Sequence, residues 1–224
     1  MEIIRNKNAK ELAGRVLASL LKEAGDLPAL FLSSGGSSLG LLEHVREGVF
    51  GPNFTAGVID ERFGADPVNN NFLQLKEKLS ATGILNWIDS APQANDFLAD
   101  AAARIEGSWR KWRKNYSDGQ VIATIGVGAD GHVAGIMPNI DLGAFGNKWV
   151  VGYDAGQSSK FPLRITATFE FLRGEVDFAI VYMSGEEKRP ALERVLADNG
   201  TLAETPARIF REMKNVKIFT DILD

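Results

Sequence analysis

The spacing of the short apolar runs constrains this chain more than any other feature. LPALFL (27–32), TAGVID (55–60), VIATIGV (121–127), KWVVGYD (148–154), FAIVYM (178–183) and VKIFTD (216–221) have strand lengths and a bias toward Val, Ile and Phe. Their apolar residues are mostly continuous, which is the pattern of strands covered on both faces. Between them lie stretches with helical periodicity. Ala9 to Ala24 carries a stripe of Leu12, Val16, Leu17, Leu20 and Leu21 and closes at Gly25. LGLLEHVREGVF (39–50), NFLQLKEKL (71–79) and Asp96 to Lys114 read as further helices, with others near 166–173 and after Pro190. Strands separated by helices need crossover connections, so the spacing predicts an α/β fold with a mostly parallel sheet and helices on both faces. No internal repeat or linker interrupts it, and residues 1–224 read as a single domain.

Composition narrows the classes of function. The net charge of −4 argues against a chain-wide affinity for nucleic acid. SWRKWRKN (108–115) is the one basic segment with aromatic residues, but Trp109 and Trp112 share a helical face suited to packing, with the basic side chains turned to solvent. Cysteine is absent, which removes disulfides and thiolate metal sites. Arg15 breaks the apolar run near the N-terminus, and no stretch approaches a membrane span. The expectation is a cytoplasmic protein with no membrane partner.

In open α/β sheets ligands bind outside the carboxyl ends of the strands. Four such ends carry chemistry: SSGGSS (33–38), DER (60–62), GVGADGH (126–132) and SGEEK (184–188). Glycines between a strand and a helix let backbone N–H groups approach an anion, so Gly35, Gly36 and Ser37 can cradle a phosphate or simply make a tight turn with a serine cap. Without a following Lys-Ser/Thr the loop does not match a nucleoside triphosphate site. Asp60 can bind a hydroxyl or act as a base while Arg62 holds an anion, though a surface ion pair would look the same. Lys188 follows SGEE just before Pro190, and Arg164 lies in PLRIT ahead of a helix; each can reach a phosphate or face solvent.

GVGADG fits the dinucleotide fingerprint, with Asp154 a tolerable acidic partner further on. Its context fails. Pro138 follows Gly131 by seven residues, and MPNIDLGAFGN is rich in turn formers, so a regular crossover helix does not fit. The loop instead sets Asp130 beside His132. Histidine, with a reference pKa near 6.5, can accept a proton at neutral pH, and a carboxylate two residues away can orient the ring or bind a hydroxyl. His44, the other histidine, sits among charged neighbours and reads as a surface residue.

GGSS (35–38), DERF…NNNF (60–72), GVGADGHVAGIMP (126–138), RIT (164–166) and GEEKRPAL (185–192) together resemble the ordered motifs of the 6-phosphogluconolactonases and the related glucosamine-6-phosphate deaminases. The resemblance implies a Rossmann-like domain that binds a phosphorylated sugar lactone without dinucleotide or metal. It places Gly35, Gly36, Ser37, Arg164 and Lys188 around the 6-phosphate. His132 is then the general base, with Asp130 and Arg62 near the lactone and Asp60 and Asn71 at the margin. Deaminases resemble DGHIAFNE, with a glutamate where this chain has Met137, and they favour DEY over DER, so the lactonase is expected. A non-catalytic sugar-phosphate sensor would not need to keep Asp130 and His132. HVAG replaces the usual HTAS and GGSSL the usual GGSTP, which bears on substrate preference. A monomer or weak homodimer is expected.

Overall fold

The computed structural model describes residues 1–46, 48–64, 66–93, 95–157 and 159–223. Seven strands form one parallel sheet: β1 (Glu2–Arg5), β2 (Ala29–Ser33), β3 (Phe54–Val58), β5 (Asn86–Trp87), β6 (Gln120–Gly126), β9 (Phe178–Met183) and β10 (Asn215–Thr220), in the order β1-β10-β9-β6-β2-β3-β5. A second, antiparallel sheet of three strands has the order β4 (Asp60–Arg62), β8 (Leu163–Ala167), β7 (Val150–Asp154). The α/β class and the mostly parallel sheet read from the sequence are those of the molecule.

The continuous apolar strands are buried from both sides. Leu30, Leu32, Ala123, Ile125 and Val181 join a core with α3 (Leu98–Asn115), α4 (Phe169–Gly174) and α5 (Arg189–Leu196). Their alternates Phe31, Ile122, Ile180 and Phe219 join a core on the other face with α1 (Ala9–Ala24) and α2 (Asn71–Lys78). Strand alternation thus divides each hydrophobic run between two helical layers. On α3, Ala101, Ile105, Trp109 and Trp112 form the buried stripe, with the Trp109 ring 4.2 Å from that of Phe171. Both tryptophans of the basic segment therefore pack inward.

Three readings need correction. Residues 39–50 were expected to be helical; the chain instead makes a 3-10 helix over Gly36–His44, and α1 packs against it. His44 is not a free surface residue but lies against Gly14 of α1, where a methyl group would overlap its ring. KWVVGYD is a strand, but it belongs to the antiparallel sheet, as does the RIT segment, which was read as leading straight into a helix.

The antiparallel sheet is what brings the motifs together. After β3 the chain passes Ile59 and enters β4, which leaves the parallel sheet to pair with β8. DER is thereby carried over the carboxyl ends of β2 and β6.

Candidate active site

Chain connections leave β2 toward β3 on one side and β6 toward β9 on the other, so the crevice between β2 and β6 is a topological switch point. A cleft of about 280 Å³ opens there. Gly35, Gly36 and Ser37 at the start of the 3-10 helix after β2, Asp60 and Arg62 of β4, Asn71 of α2, His132, Arg164 and Lys188 all line it. Nine of the ten residues singled out from sequence form its wall, and the tenth, Asp130, stands behind the imidazole of His132.

The loop after β6 is a compact turn rather than the start of a helix. Gly128 N–H donates to the His132 carbonyl (3.1 Å), Gly131 N–H donates to the Gly128 carbonyl (2.9 Å), and Val133 bridges to Val127 and Ile136. From there to β7 the described structure contains only a short 3-10 turn over Leu142–Phe145, so no crossover helix supports a dinucleotide. Gly131 adopts φ +93°, a left-handed conformation natural to glycine. At Gly128 a methyl group would overlap both His132 Nδ1 and Asp130 Oδ1.

Within that turn, Asp130 Oδ1 lies 2.7 Å from His132 Nδ1 and accepts the His132 backbone N–H at 3.0 Å. The carboxylate favours the tautomer protonated on Nδ1 and leaves Nε2 with its lone pair. Burial works against ionisation of Asp130, but the hydrogen bonds from His132 outweigh it and hold the carboxyl below its ordinary value. Arg194 of α5, which the sequence reading did not single out, donates to the Asp130 carbonyl at 3.0 Å and steadies the turn from outside.

The opposite wall is cationic. Arg62 and Arg164 are register partners across β4 and β8, and both guanidiniums lie over Phe161, at 4.6 and 6.0 Å from the ring centroid. Arg62 Nη1 donates to the Asn69 carbonyl and Arg164 Nη2 to the Ser159 hydroxyl, but both Nε atoms are buried with no hydrogen-bond partner among the described residues. Asn71 Oδ1, facing Gly35, is in the same state, while its Nδ2 donates to the Asp60 carbonyl at 2.9 Å. Buried polar groups are ordinarily satisfied, so this cluster is shaped for a polar ligand. Burial raises the Asp60 pKa against the charges of Arg164 and Arg62. Burial also lowers the pKa of Lys188, with Glu187 and Asp221 opposing it. Among the described residues no three His, Asp or Glu side chains come together as a metal site, and no helix is long and apolar enough to cross a membrane.

One residue of the DER triplet that was not assigned a role is also well placed. Glu61 faces the interior and accepts backbone N–H groups at the start of α2. Its signal in the sequence was strand alternation, which sends the middle residue of a triplet to the opposite face.

A parallel α/β sheet with a cationic, glycine-rimmed cleft at its switch point defines a class: an α/β protein shaped to hold a small anionic ligand. The particular family follows from comparison. The model for glucosamine-6-phosphate isomerases/6-phosphogluconolactonase matches residues 7–219, and the chain belongs to that family. It is 38% identical over 172 residues to the 6-phosphogluconolactonase of Borreliella burgdorferi, an alignment covering 76% of this chain and 66% of that protein, just under two thirds of its length. The fold is shared with 6-phosphogluconolactonase from Plasmodium vivax (TM-score 0.80, 15% identity, 97% of this chain and 89% of that one) and from Thermotoga maritima (TM-score 0.74, 22% identity, 97% of each). It is shared equally with a monomeric glucosamine-6-phosphate deaminase (TM-score 0.77, 18% identity, 98% and 97%), so fold alone does not separate the two activities.

Proposed function

We propose that residues 1–224 form a single sugar-phosphate domain that hydrolyses 6-phospho-D-glucono-1,5-lactone to 6-phosphogluconate in the cytoplasm, without cofactor or metal. The observation that carries the mechanism is the Asp130–His132 pair at 2.7 Å on the wall of the cleft. With Nδ1 bonded to Asp130, Nε2 is the nitrogen that accepts a proton from water as that water attacks the lactone carbonyl. The tetrahedral oxyanion collapses by breaking the bond to the ring oxygen, which takes the proton back from His132 and becomes the hydroxyl of the open-chain acid. Arg62 lies on the side where it can stabilise the oxyanion. Gly35, Gly36, Ser37, Arg164 and Lys188 receive the phosphate, which anchors the lactone from a distance and holds its ester against His132. Asp60 and Asn71 bind sugar hydroxyls.

The relative from Borreliella burgdorferi supports the lactonase over the deaminase, as does Met137 in place of a carboxylate. The testing experiment is an assay of the purified chain with freshly made 6-phosphogluconolactone, corrected for spontaneous hydrolysis. Acceleration well above that background is expected, and its absence refutes the assignment.

A further inference from the structure

Glu61 is 1% exposed and lies on the face of β4 away from the cleft. Its Oε1 accepts the backbone N–H groups of Arg62 and Asn71, each at 2.8 Å. Its Oε2 accepts the Phe72 N–H at 2.9 Å and the Ser90 hydroxyl at 3.3 Å. Both oxygens therefore receive N–H donors, which is the bonding of an ionised carboxylate. A single oxygen holds the residue that carries the Arg62 guanidinium and the residue that carries the Asn71 amide. Both of those side chains face the cleft from different elements.

We propose that Glu61 is a positioning residue whose carboxylate clamps β4 to the start of α2, sets the spacing between the Arg62 guanidinium and the Asn71 amide, and thereby sets the affinity of the cleft for its sugar-phosphate ligand. The inference rests on the reading of that cleft as the substrate site. A neutral carboxyl has one oxygen committed to its own proton, so protonation of Oε2 would give up the Phe72 N–H or turn the Ser90 hydroxyl into an acceptor. Burial pushes the Glu61 pKa up to about 7, opposed by the N–H groups of Asn71, Arg62 and Phe72. Ile105 and Trp109 of α3, Val150 of β7 and Ile165 of β8 line a small gap with it and carry no charge. Asp60 and Arg62 on its own strand are the charged neighbours, and Asp60 raises the pKa further. Arg104 of α3 is bonded to Asp96 and to the carbonyls of Asp89 and Ala91. The clamp is thus poised to slacken across the neutral range.

The test compares the wild type with Glu61→Gln and Ser90→Ala on 6-phosphogluconolactone between pH 6 and 8.5. At pH 8, Glu61→Gln should raise KM about tenfold, the scale of one lost charge-assisted hydrogen bond, and any accompanying fall in kcat through Arg62 should follow the same pH dependence. The KM ratio of variant to wild type should shrink toward one by pH 6, and the titration of the substrate's own phosphate cancels from that ratio. Ser90→Ala removes one donor to the carboxylate and should weaken substrate binding around neutral pH while matching the wild type at pH 8.5. A KM ratio that does not change with pH, or a loss confined to kcat, overturns the proposal. If Glu61→Gln does not fold, the Ser90→Ala series decides alone by the same criterion. Calorimetric titration with 6-phosphogluconate reads the clamp without turnover, so failure of lactone hydrolysis would refute the assigned reaction and leave this inference to be judged on binding.

Discussion

Arg62 and Arg164 stand directly opposite one another across the antiparallel β4–β8 pair, and Arg164 is 8% exposed. Like charges in register are unfavourable by a few tenths of a kcal/mol to about 1 kcal/mol. Here Asp60, two residues from Arg62 on the same face of β4, supplies part of the compensation. Both guanidiniums keep a buried Nε with no partner among the described residues, and an anion entering the cleft would complete the balance.

Removal of one cation should therefore weaken binding of the phosphorylated lactone while costing little stability. Arg164→Ala and Lys188→Ala are each expected to raise KM for 6-phosphogluconolactone about 10- to 100-fold, the range for a hydrogen bond to a charged group. KM for unphosphorylated gluconolactone should change by much less. Steady-state kinetics on both lactones checks this, and equal kcat/KM for the two in the wild type would mean that no phosphate clamp exists.

His132 and Asp130 should behave as a unit. His132→Asn is expected to fold and to lose about 10²–10⁴-fold in kcat, the usual contribution of a general base. Asp130→Asn should cost up to about 10⁴-fold, because an amide N–H facing Nδ1 favours the tautomer protonated on Nε2. The double variant should be little worse than His132→Asn alone. Gly128→Ala tests the same pair sterically, because its methyl would overlap His132 Nδ1 and Asp130 Oδ1. Turnover near the wild-type level in His132→Asn removes this histidine from the mechanism.

Much of the site was legible because each motif sits at a strand end and carries its chemistry locally. SSGG, DGH and the lysine before Pro190 needed no partner to be noticed. The antiparallel sheet was less visible. Asp60–Arg62 is three residues long and Leu163–Ala167 mixes Arg and Thr with apolar residues, so neither has the pattern of a covered strand. The facing of Arg62 and Arg164 comes from long-range pairing that no local signal encodes. Residues 39–50 carry enough leucine to read as helix, but Gly35, Gly36 and Gly40 lie close together at its start, and the chain takes the tighter 3-10 form. Glu61 was hidden for the opposite reason: a charged letter between two charged letters reads as surface, although strand alternation buries it.

That buried carboxyl has a consequence for stability. Its folded-state pKa is raised from 4.5 to about 7, so between those values the folded chain holds a proton that the unfolded chain has released. The stabilisation from this group is fully present below about pH 4.5 and is lost as pH rises through about 7, roughly 3 kcal/mol in all. Glu61→Gln should flatten that part of the curve. Denaturant unfolding at pH 5, 6, 7 and 8 for both proteins reads the difference, and parallel curves would show that Glu61 ionises as freely in the folded chain as in the unfolded one.

The last expectation separates the two activities that share this fold. Deamination of glucosamine 6-phosphate requires ring opening, transfer of a proton between adjacent carbons and protonation of the departing ammonia. That sequence calls for more than one acid–base group around the sugar. Met137 stands where the related deaminase pattern has a glutamate, and its backbone N–H is bonded to the Tyr153 hydroxyl, which in turn donates to the Gly135 carbonyl at 2.6 Å. The turn that would deliver a carboxylate is thus pinned with a thioether in its place. Lactone hydrolysis asks for one base, one water and a place for the oxyanion, and the proposed mechanism assigns those demands to His132 and the cationic wall. The purified chain should hydrolyse 6-phosphogluconolactone, keep that activity after chelator treatment, and release no ammonia from glucosamine 6-phosphate above background. Met137→Glu alone should not create a deaminase, since Arg62 also replaces the tyrosine of that pattern. Strong ammonia release by the wild type, without acceleration of lactone hydrolysis, would reverse the assignment.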